Sequence, residues 1–499
     1  MVDMMIQGLQ GIVSPWSVLL MFLGVAVGSV FGAIPGLTGG IAIAILLPLT
    51  FKLDAIPAMA LLIGVYVGGS FGGSIPAILI GTPGAPEAGV TVFDGYPMAR
   101  KGQSGKALKT ALYASCAGNF FASIITIVMI MGVSKLALMM GPAEYFAIVV
   151  FSIVLIATVG SKESWIKGLL AVMFGFFFCF IGGDPVTSTP RFTFGVTQML
   201  GGLQLVSVLV GLFVGAELLQ NVRTESKHQK VTSEFKENNR ISRKEVRACI
   251  PTVMTGTLIG AVIGALPGLN AAISATLNYA LTKKISKHPE EFGQGCIVGV
   301  AAAESANNAT AGPTLVPLLT LSIPGSGTAA IFLGALMIQG IQPGPTIFRD
   351  SGDVVYGVFF ALMICTVVLA VIGRILIGVA QYIAFIPTEY LNPVIILTCC
   401  AGAFSLNGRI FDVIVLLIFM GLGYIMNIVK LPVLPLLIAF LLGGMMESNF
   451  RRALLISKNS PSIFYESPVC MLFLIISLLM LLYSILEKPI KRALNQKVA

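Results

Sequence analysis

Residues Gly299–Phe348 read GVAAAESANNATAGPTLVPLLTLSIPGSGTAAIFLGALMIQGIQPGPTIF. The stretch is apolar enough to lie inside a membrane, yet too rich in Gly, Pro, Ser, Thr and Asn to form one plain spanning helix. Pro324 lacks a backbone donor and stops a helix from continuing, and Gly325-Ser326-Gly327 extends the break. The N–H and C=O groups freed there cannot face lipid. They must face protein or a wet cavity, where they can hold a solute or an ion. Broken helices of this kind mark the binding sites of secondary transporters.

A related stretch stands earlier, at Gly64–Pro97: GVYVGGSFGGSIPAILIGTPGAPEAGVTVFDGYP. Pro76 precedes Pro83-Gly84 by seven residues, as Pro317 precedes Pro324-Gly325. Other landmarks repeat in the same order. Gly24, Gly28 and Gly32 recur as Gly256, Gly260 and Gly264, and Ala33-Ile-Pro-Gly-Leu-Thr38 recurs as Ala265-Leu-Pro-Gly-Leu-Asn270, both shifted by about 232 positions. The Pro-Gly breaks of the two long stretches are shifted by about 241. The chain therefore reads as an internal duplication.

Composition sets the class. Of 499 residues 56% are hydrophobic and 11% charged, against about 25% charged in a soluble protein. Counting roughly 20 apolar residues per crossing gives about 10–12 spanning segments. The expected fold is an all-α polytopic membrane protein of two related halves, with broken helices and re-entrant hairpins. The halves divide as a first repeat over 12–222, a basic cytoplasmic linker over 223–247, a second repeat over 248–458, and an extra C-terminal helix with a basic tail over 459–499. The net charge of +9 sits in loops and the tail, as topology signals do, and does not point to nucleic acid. Lys488, Lys491, Arg492 and Lys497 place the C-terminus in the cytoplasm. The loop Arg100–Lys109 is basic where its counterpart Arg349–Asp353 is slightly acidic. Conversely, Lys283, Lys284 and Lys287 stand where the first half has Lys52 and Asp54. This alternation favours inverted-topology repeats over a parallel pair.

Three groups of residues are candidates for chemistry. The Pro-Gly tips carry Thr82, Pro83 and Gly84 in the first half, with Ser74 nearby. In the second they carry Ser322, Pro324, Gly325, Ser326, Gly327 and Thr328. Small residues let the backbone approach a ligand, and free N–H groups at a helix start attract a carboxylate. These are the expected substrate contacts; simple kinks are the alternative. The second breaks carry Gly36 and Thr38, and Gly268 and Asn270, each before a short half-helix, and could hold a cation with backbone carbonyls. Finally Glu304, Asn307 and Asn308 share one helical face. Their carboxylate and amide oxygens suit Na⁺, and a buried Glu could carry a proton; a polar packing face is the alternative. Glu217 and Glu447 each close an apolar run and read as caps or surface ion pairs.

No enzyme constellation emerges. The two histidines, His228 and His288, lie in polar loops, and H-E-x-x-H, G-x-S-x-G and Walker A signatures are absent. The eight cysteines form no C-x-x-C and read as small buried hydrophobes. Without a nucleotide site, transport would have to run on an ion gradient.

At Gly32-Ala-Ile-Pro-Gly-Leu37, Gly72-Gly-Ser74 with Pro83-Gly84, Asp94-Gly-Tyr-Pro97 through Lys101-Gly-Gln103, Glu304-Ser-Ala-Asn-Asn308, Ile323-Pro-Gly325 and Gly340-Ile-Gln-Pro-Gly-Pro345, the chain resembles the large membrane subunit of the tripartite tricarboxylate transporters of bacteria. The resemblance covers about residues 12–470. It implies uptake of tricarboxylates or related carboxylates across the inner membrane, with a small membrane subunit and a periplasmic solute-binding protein as partners. It implies Na⁺ or H⁺ as coupling ion. A passive channel and a non-transporting scaffold are the competing classes. The chain departs from the family pattern at Gly81, Ala303 and Gln339.

Overall fold

The computed structural model describes residues 2–137, 140–159, 164–184, 187–223, 240–266, 269–344, 346–383 and 388–498. Helix α1 (Val2–Ile12) precedes α2 (Pro15–Ala33), α3 (Gly39–Thr50), α4 (Ala55–Gly72) and α5 (Ser74–Leu79). A 3-10 turn at Pro86–Gly89 leads to α6 (Val92–Arg100), α7 (Ser104–Ala137), α8 (Pro142–Val159) and α9 (Trp165–Cys179). Gly182–Gly183 pairs antiparallel with Pro190–Arg191. Helix α10 (Leu205–Val210) then runs through a π turn, Gly211–Gly215, into α11 (Ala216–Arg223).

The second half begins with α12 (Arg243–Ala265), α13 (Ala271–Ile285), α14 (Ile297–Asn308), α15 (Ala311–Leu321) and α16 (Gly327–Ile338). It continues through α17 (Ile347–Asp350), α18 (Gly352–Ile383), α19 (Thr388–Asn407), α20 (Ile410–Ile428) and α21 (Val433–Ile456). Helices α22 (Ile463–Glu466) and α23 (Pro468–Val498) follow. Among the described residues, eight helices are long and apolar enough to cross a bilayer, and six shorter apolar helices accompany them. The chain is an all-α polytopic membrane protein.

The helices before the two proline-glycine pairs end alike. Helix α2 ends at Ile34 (φ −94°, ψ 120°) and α12 at Leu266 (φ −91°, ψ 116°). The next helix starts in each half on a capping side chain. Thr38 Oγ1 accepts from Ile41 N at 3.4 Å, and Asn270 Oδ1 from Ile273 N at 3.2 Å. Each cap satisfies one of the orphan donors of a helix start.

Glycine stripes hold paired helices at backbone contact. A Cβ on Gly24 would lie 2.2 Å from Leu61 O, one on Gly28 2.2 Å from Val65 O, and one on Gly72 2.5 Å from Ser29 O. Helices α2 and α4 therefore run parallel, held mostly at backbone contact, with the small Ser29 hydroxyl against Gly68. In the second half Gly256 meets the Ser305 and Asn278 side chains and Gly260 the Ala309 methyl, so α12 and α14 also run parallel at close range, but through small side chains. Small residues permit this approach in a bilayer, where dispersion contacts drive helix association.

The halves also embrace. Helix α7 packs on α12, α14 and α15, while α18 packs on α2 and α4. Helices α7 and α18 pack on each other. Leu112 meets Gly373, and Asn119 Nδ2 donates to Thr366 Oγ1 at 2.8 Å, so the two run antiparallel. The same exchange recurs with α9 on α21 and α20 on the α10–α11 segment.

Two features were not expected from the sequence. The N-terminal α1 docks on α18, where Gly8 meets the Asp353 carbonyl. Helix α21 runs well beyond its apolar part, because Glu447 and Arg451 find partners on the ribbon between α9 and α10. Arg191 donates both guanidinium nitrogens to Glu447 at 3.0 Å. Arg451 donates to Asp184 at 3.1 Å and pairs with Glu447 at 2.6 Å, and Asp184 also contacts Arg191.

Candidate functional site

A cavity of about 270 Å³ lies where the broken helices of both halves meet. It is lined by Thr38 and Gly39 at the start of α3, by Ala271 at the start of α13, and by Ser326, Gly327 and Thr328 at the start of α16. Ser326 Oγ caps α16 by accepting from Ala329 N at 3.1 Å. The starts of α3 and α16 touch, since a Cβ on Gly40 would lie 3.0 Å from Thr328 Oγ1. Three helix N-termini thus converge on one space, each presenting partial positive charge and free N–H groups.

The lining repeats itself across the two halves. Tyr66 and Asn307, Gly69 and Thr310, Ser70 and Ala311, and Ala85 and Ser326 occupy matching positions, and both members of every pair line the cavity. The cavity therefore draws its walls from matching sequence positions of both halves. It also receives two carboxylates, Glu87 from the 3-10 turn and Glu217 from the first turn of α11, directly after the π turn. Single π turns are frequent at functional sites.

Asn307 is the most telling residue. Its side chain is 2% exposed, and neither amide atom has a hydrogen-bond partner within the protein. Buried polar atoms are rarely left so. A ligand in the cavity can take both the donor and the acceptor. The Glu87 Oε2 atom is likewise buried without a partner.

The structure separates the residues expected from sequence. Ser326, Gly327, Thr328, Thr38 and Asn307 line the cavity, and Asn270 caps the helix whose first residue does. Glu304, Asn308 and Ser74 form a different, closed cluster. Glu304 Oε1 accepts from Ser74 Oγ at 2.6 Å and from the Thr91 hydroxyl. Its Oε2 accepts from Ser115 Oγ at 2.9 Å and Asn308 Nδ2 at 3.3 Å. Glu304 is fully buried, and these four donors stitch α5, α7 and α14 together.

Ser322 takes a left-handed conformation, φ 58°, where the first half has Gly81 at φ 72°. Its hydroxyl donates to Pro343 O at 2.8 Å, so it closes the turn after α15. Gly84 packs against Gly32 O and is bound through Gly73. Thr82, Pro83, Pro324, Gly325 and Gly36 are not among the residues that line the cavity. Gly268 lies outside the described residues.

Sequence reasoning passed over Glu87 and Tyr66, and read Glu217 as a cap or surface ion pair; the structure places Glu217 on the cavity lining. The signal for Glu87 was available, because it occupies the repeat position of Thr328. Among the described residues no cluster of three or more His, Cys, Asp or Glu could hold a metal, and the cysteines are free thiols.

Comparison with known proteins gives this arrangement a family. Residues 18–438 match the model of the tripartite tricarboxylate transporter TctA family. The chain belongs to the TctA family. It is 34% identical over 491 residues, 98% of this chain and 97% of the relative, to a protein of Agrobacterium vitis described as an uncharacterized 52.8 kDa protein in the TAR-I ttuC' 3' region. A second Agrobacterium vitis protein, described as uncharacterized in the TAR-II ttuC' 3' region, is 37% identical over 191 residues, 38% of this chain and 79% of that one. No solved structure matches. The matched span takes in every residue of the TctA-family cavity described above.

Proposed function

We propose that this TctA-family chain is the large membrane subunit of a binding-protein-dependent secondary importer of tricarboxylates or related carboxylates. It works in the bacterial inner membrane with a small membrane subunit and a periplasmic solute-binding protein, and its C-terminus is cytoplasmic. The observation that carries this reading is the cavity itself, where three helix starts and the unpartnered Asn307 amide converge in the middle of broken helices. Its size, close to the lower end of ligand pockets at about 300 Å³, suits a compact metabolite. Carboxylate groups would be held by the N–H groups of α3 and α16, the Ser326 and Thr328 hydroxyls, and the Asn307 amide.

Coupling follows from charge. Glu87 and Glu217 share this small space. An anionic substrate beside two carboxylates in a medium of low dielectric is strongly unfavourable unless cations or protons enter with it. Na⁺ or H⁺ at these carboxylates makes substrate binding conditional on the driving ion, which is symport. The repeats are inverted in topology, a reading supported by the antiparallel run of the matching helices α7 and α18.

The test is uptake of labelled citrate, C4-dicarboxylates and aromatic carboxylates by cells carrying the chain and both partner subunits, with and without an imposed Na⁺ or pH gradient. Gradient-dependent accumulation of one class is expected. Flux that only equilibrates would indicate a passive channel. No flux, with all subunits correctly inserted, would leave a scaffold.

A further inference from the structure

Away from the central cavity, α7 and α12 border a laterally open groove of about 670 Å³ that the transport reading does not use. Its walls are almost wholly apolar, among them Tyr113, Ala117 and Phe121 of α7 and Val246, Ile250 and Met254 of α12. These positions repeat at helical spacing and form one stripe on each helix. The side chains are half exposed: Phe121 is 55%, Ile250 50% and Met254 63% accessible. In a membrane-spanning chain such surface faces hydrocarbon.

Both stripes end in positive charge at the same end. Lys106 and Lys109 precede Thr110 and Tyr113 on α7. Arg240, Arg243, Lys244 and Arg247 surround the start of α12. Among the described residues here the carboxylate is Glu245, which is engaged by Lys106 at 2.6 Å and by the Ser242 N–H that it caps. That leaves a basic rim in which Arg240 and the α12 cations Arg243, Lys244 and Arg247 are exposed. The lining of α12 from Val246 to Leu258 rises about 18 Å, close to the roughly 15 Å depth of one hydrocarbon leaflet. The rim therefore lies at headgroup depth when the stripe lies in the leaflet.

We propose that the groove between α7 and α12 is a binding site for one anionic glycerophospholipid, its phosphate on the Arg243–Arg247 rim and an acyl chain along Ala117, Ile250 and Met254. Charge complementarity selects an anionic headgroup over a zwitterionic one, and basic pockets between transmembrane helices take such headgroups. Because α7 carries Ser115 of the Glu304 cluster and α12 packs on α14, a lipid seated here would brace the walls behind the cavity.

The experiment is native mass spectrometry of the purified chain after exchange into vesicles of equal phosphatidylglycerol and phosphatidylcholine. Wild type is expected to retain phosphatidylglycerol selectively. The variant R243Q/K244Q/R247Q should lose that selectivity, by about fivefold in occupancy for each charge removed, and Ala117→Trp should lose retention outright. A photoactivatable phosphatidylglycerol on wild-type protein supplies an arm independent of variant folding; cross-links should map to residues 110–125 and 246–258. Unchanged retention in both variants, or cross-links elsewhere, would overturn the proposal. So would an Ala117→Trp protein that keeps its lipid but no longer co-purifies with the small membrane subunit, since the groove would then seat a protein helix.

Discussion

The Tyr279 hydroxyl donates to Asp94 Oδ2 at 2.8 Å, tying α13 of the second half to α6 of the first. The other oxygen of the same carboxylate accepts from the backbone N–H groups of Gly293 and Gly295 at 2.9 Å and of Cys296 at 2.8 Å. Asp94 thus caps α14 from across the repeat boundary. Asp94→Ala would leave three backbone donors and a hydroxyl without their acceptor in a site that is 1% exposed. Loss of about 3 kcal/mol or more is expected, since bonds to a charged group contribute roughly 1.5–3 kcal/mol each and do not add fully. Thermal unfolding in detergent measures it, and an unchanged midpoint would refute the clamp.

Asn307→Ala removes only the amide that faces the cavity. With no intramolecular bond lost, membrane levels and unfolding temperature should stay near wild type. Uptake affinity should fall about tenfold, the worth of one hydrogen bond of roughly 1.4 kcal/mol. An uptake KM that does not move would take Asn307 out of the site.

Glu304→Ala should act in the opposite way. Ser74, Thr91, Ser115 and Asn308 would lose their common acceptor, at about 3 kcal/mol or more. The amount of folded protein in the membrane is the readout. Normal folding with abolished uptake would instead return Glu304 to the transport site.

Glu217→Gln keeps the shape of the cavity and removes one negative charge. The ratio of uptake with and without the ion gradient should fall about tenfold, corresponding to roughly 1.4 kcal/mol of lost coupling. Flux measured at several Na⁺ concentrations and pH values checks this, and a ratio equal to wild type would exclude Glu217 from coupling.

Gly28→Leu should abolish folding. Its Cβ would lie 2.2 Å from the Val65 carbonyl, on a helix that has no flexible side chain to move aside. Fluorescence-detected size-exclusion chromatography of the solubilised protein would report it, and a monodisperse peak would contradict the packing.

Much of this architecture was readable in the sequence because it rests on local chemistry. A proline followed by glycine stops a helix by local chemistry, so the break at Pro35-Gly36 and the short helices after Thr38 and Asn270 were legible residue by residue, although the capping role of those two side chains was not. The glycine stripes were legible because helical periodicity is a property of one segment. The division of the polar residues was not. Asn307 and Asn308 are neighbours on one helix, yet one faces the cavity and the other bonds Ser115 and Glu304. Which way each points depends on α7, nearly two hundred residues away in the chain. Glu87 and Glu217 lie far apart within the first half and meet only through tertiary packing, and Glu447 is matched by Arg191 from a ribbon with no sequence signature.

The contact between α2 and α4 also says something about movement. A seam packed through side chains can slip by exchanging rotamers, because each intermediate position offers another set of wells. Between Gly24, Gly28 and Gly32 on one side and Gly64, Gly68 and Gly72 on the other the close contacts are backbone, save for the short Ser29 hydroxyl against Gly68, which leaves almost no rotamers to exchange. Sliding by one residue would drive a carbonyl or a larger neighbour into a gap that admits only hydrogen. The two helices must therefore travel as a single strut. Any shear that carries a solute through this protein has to occur along its other, better-upholstered boundaries.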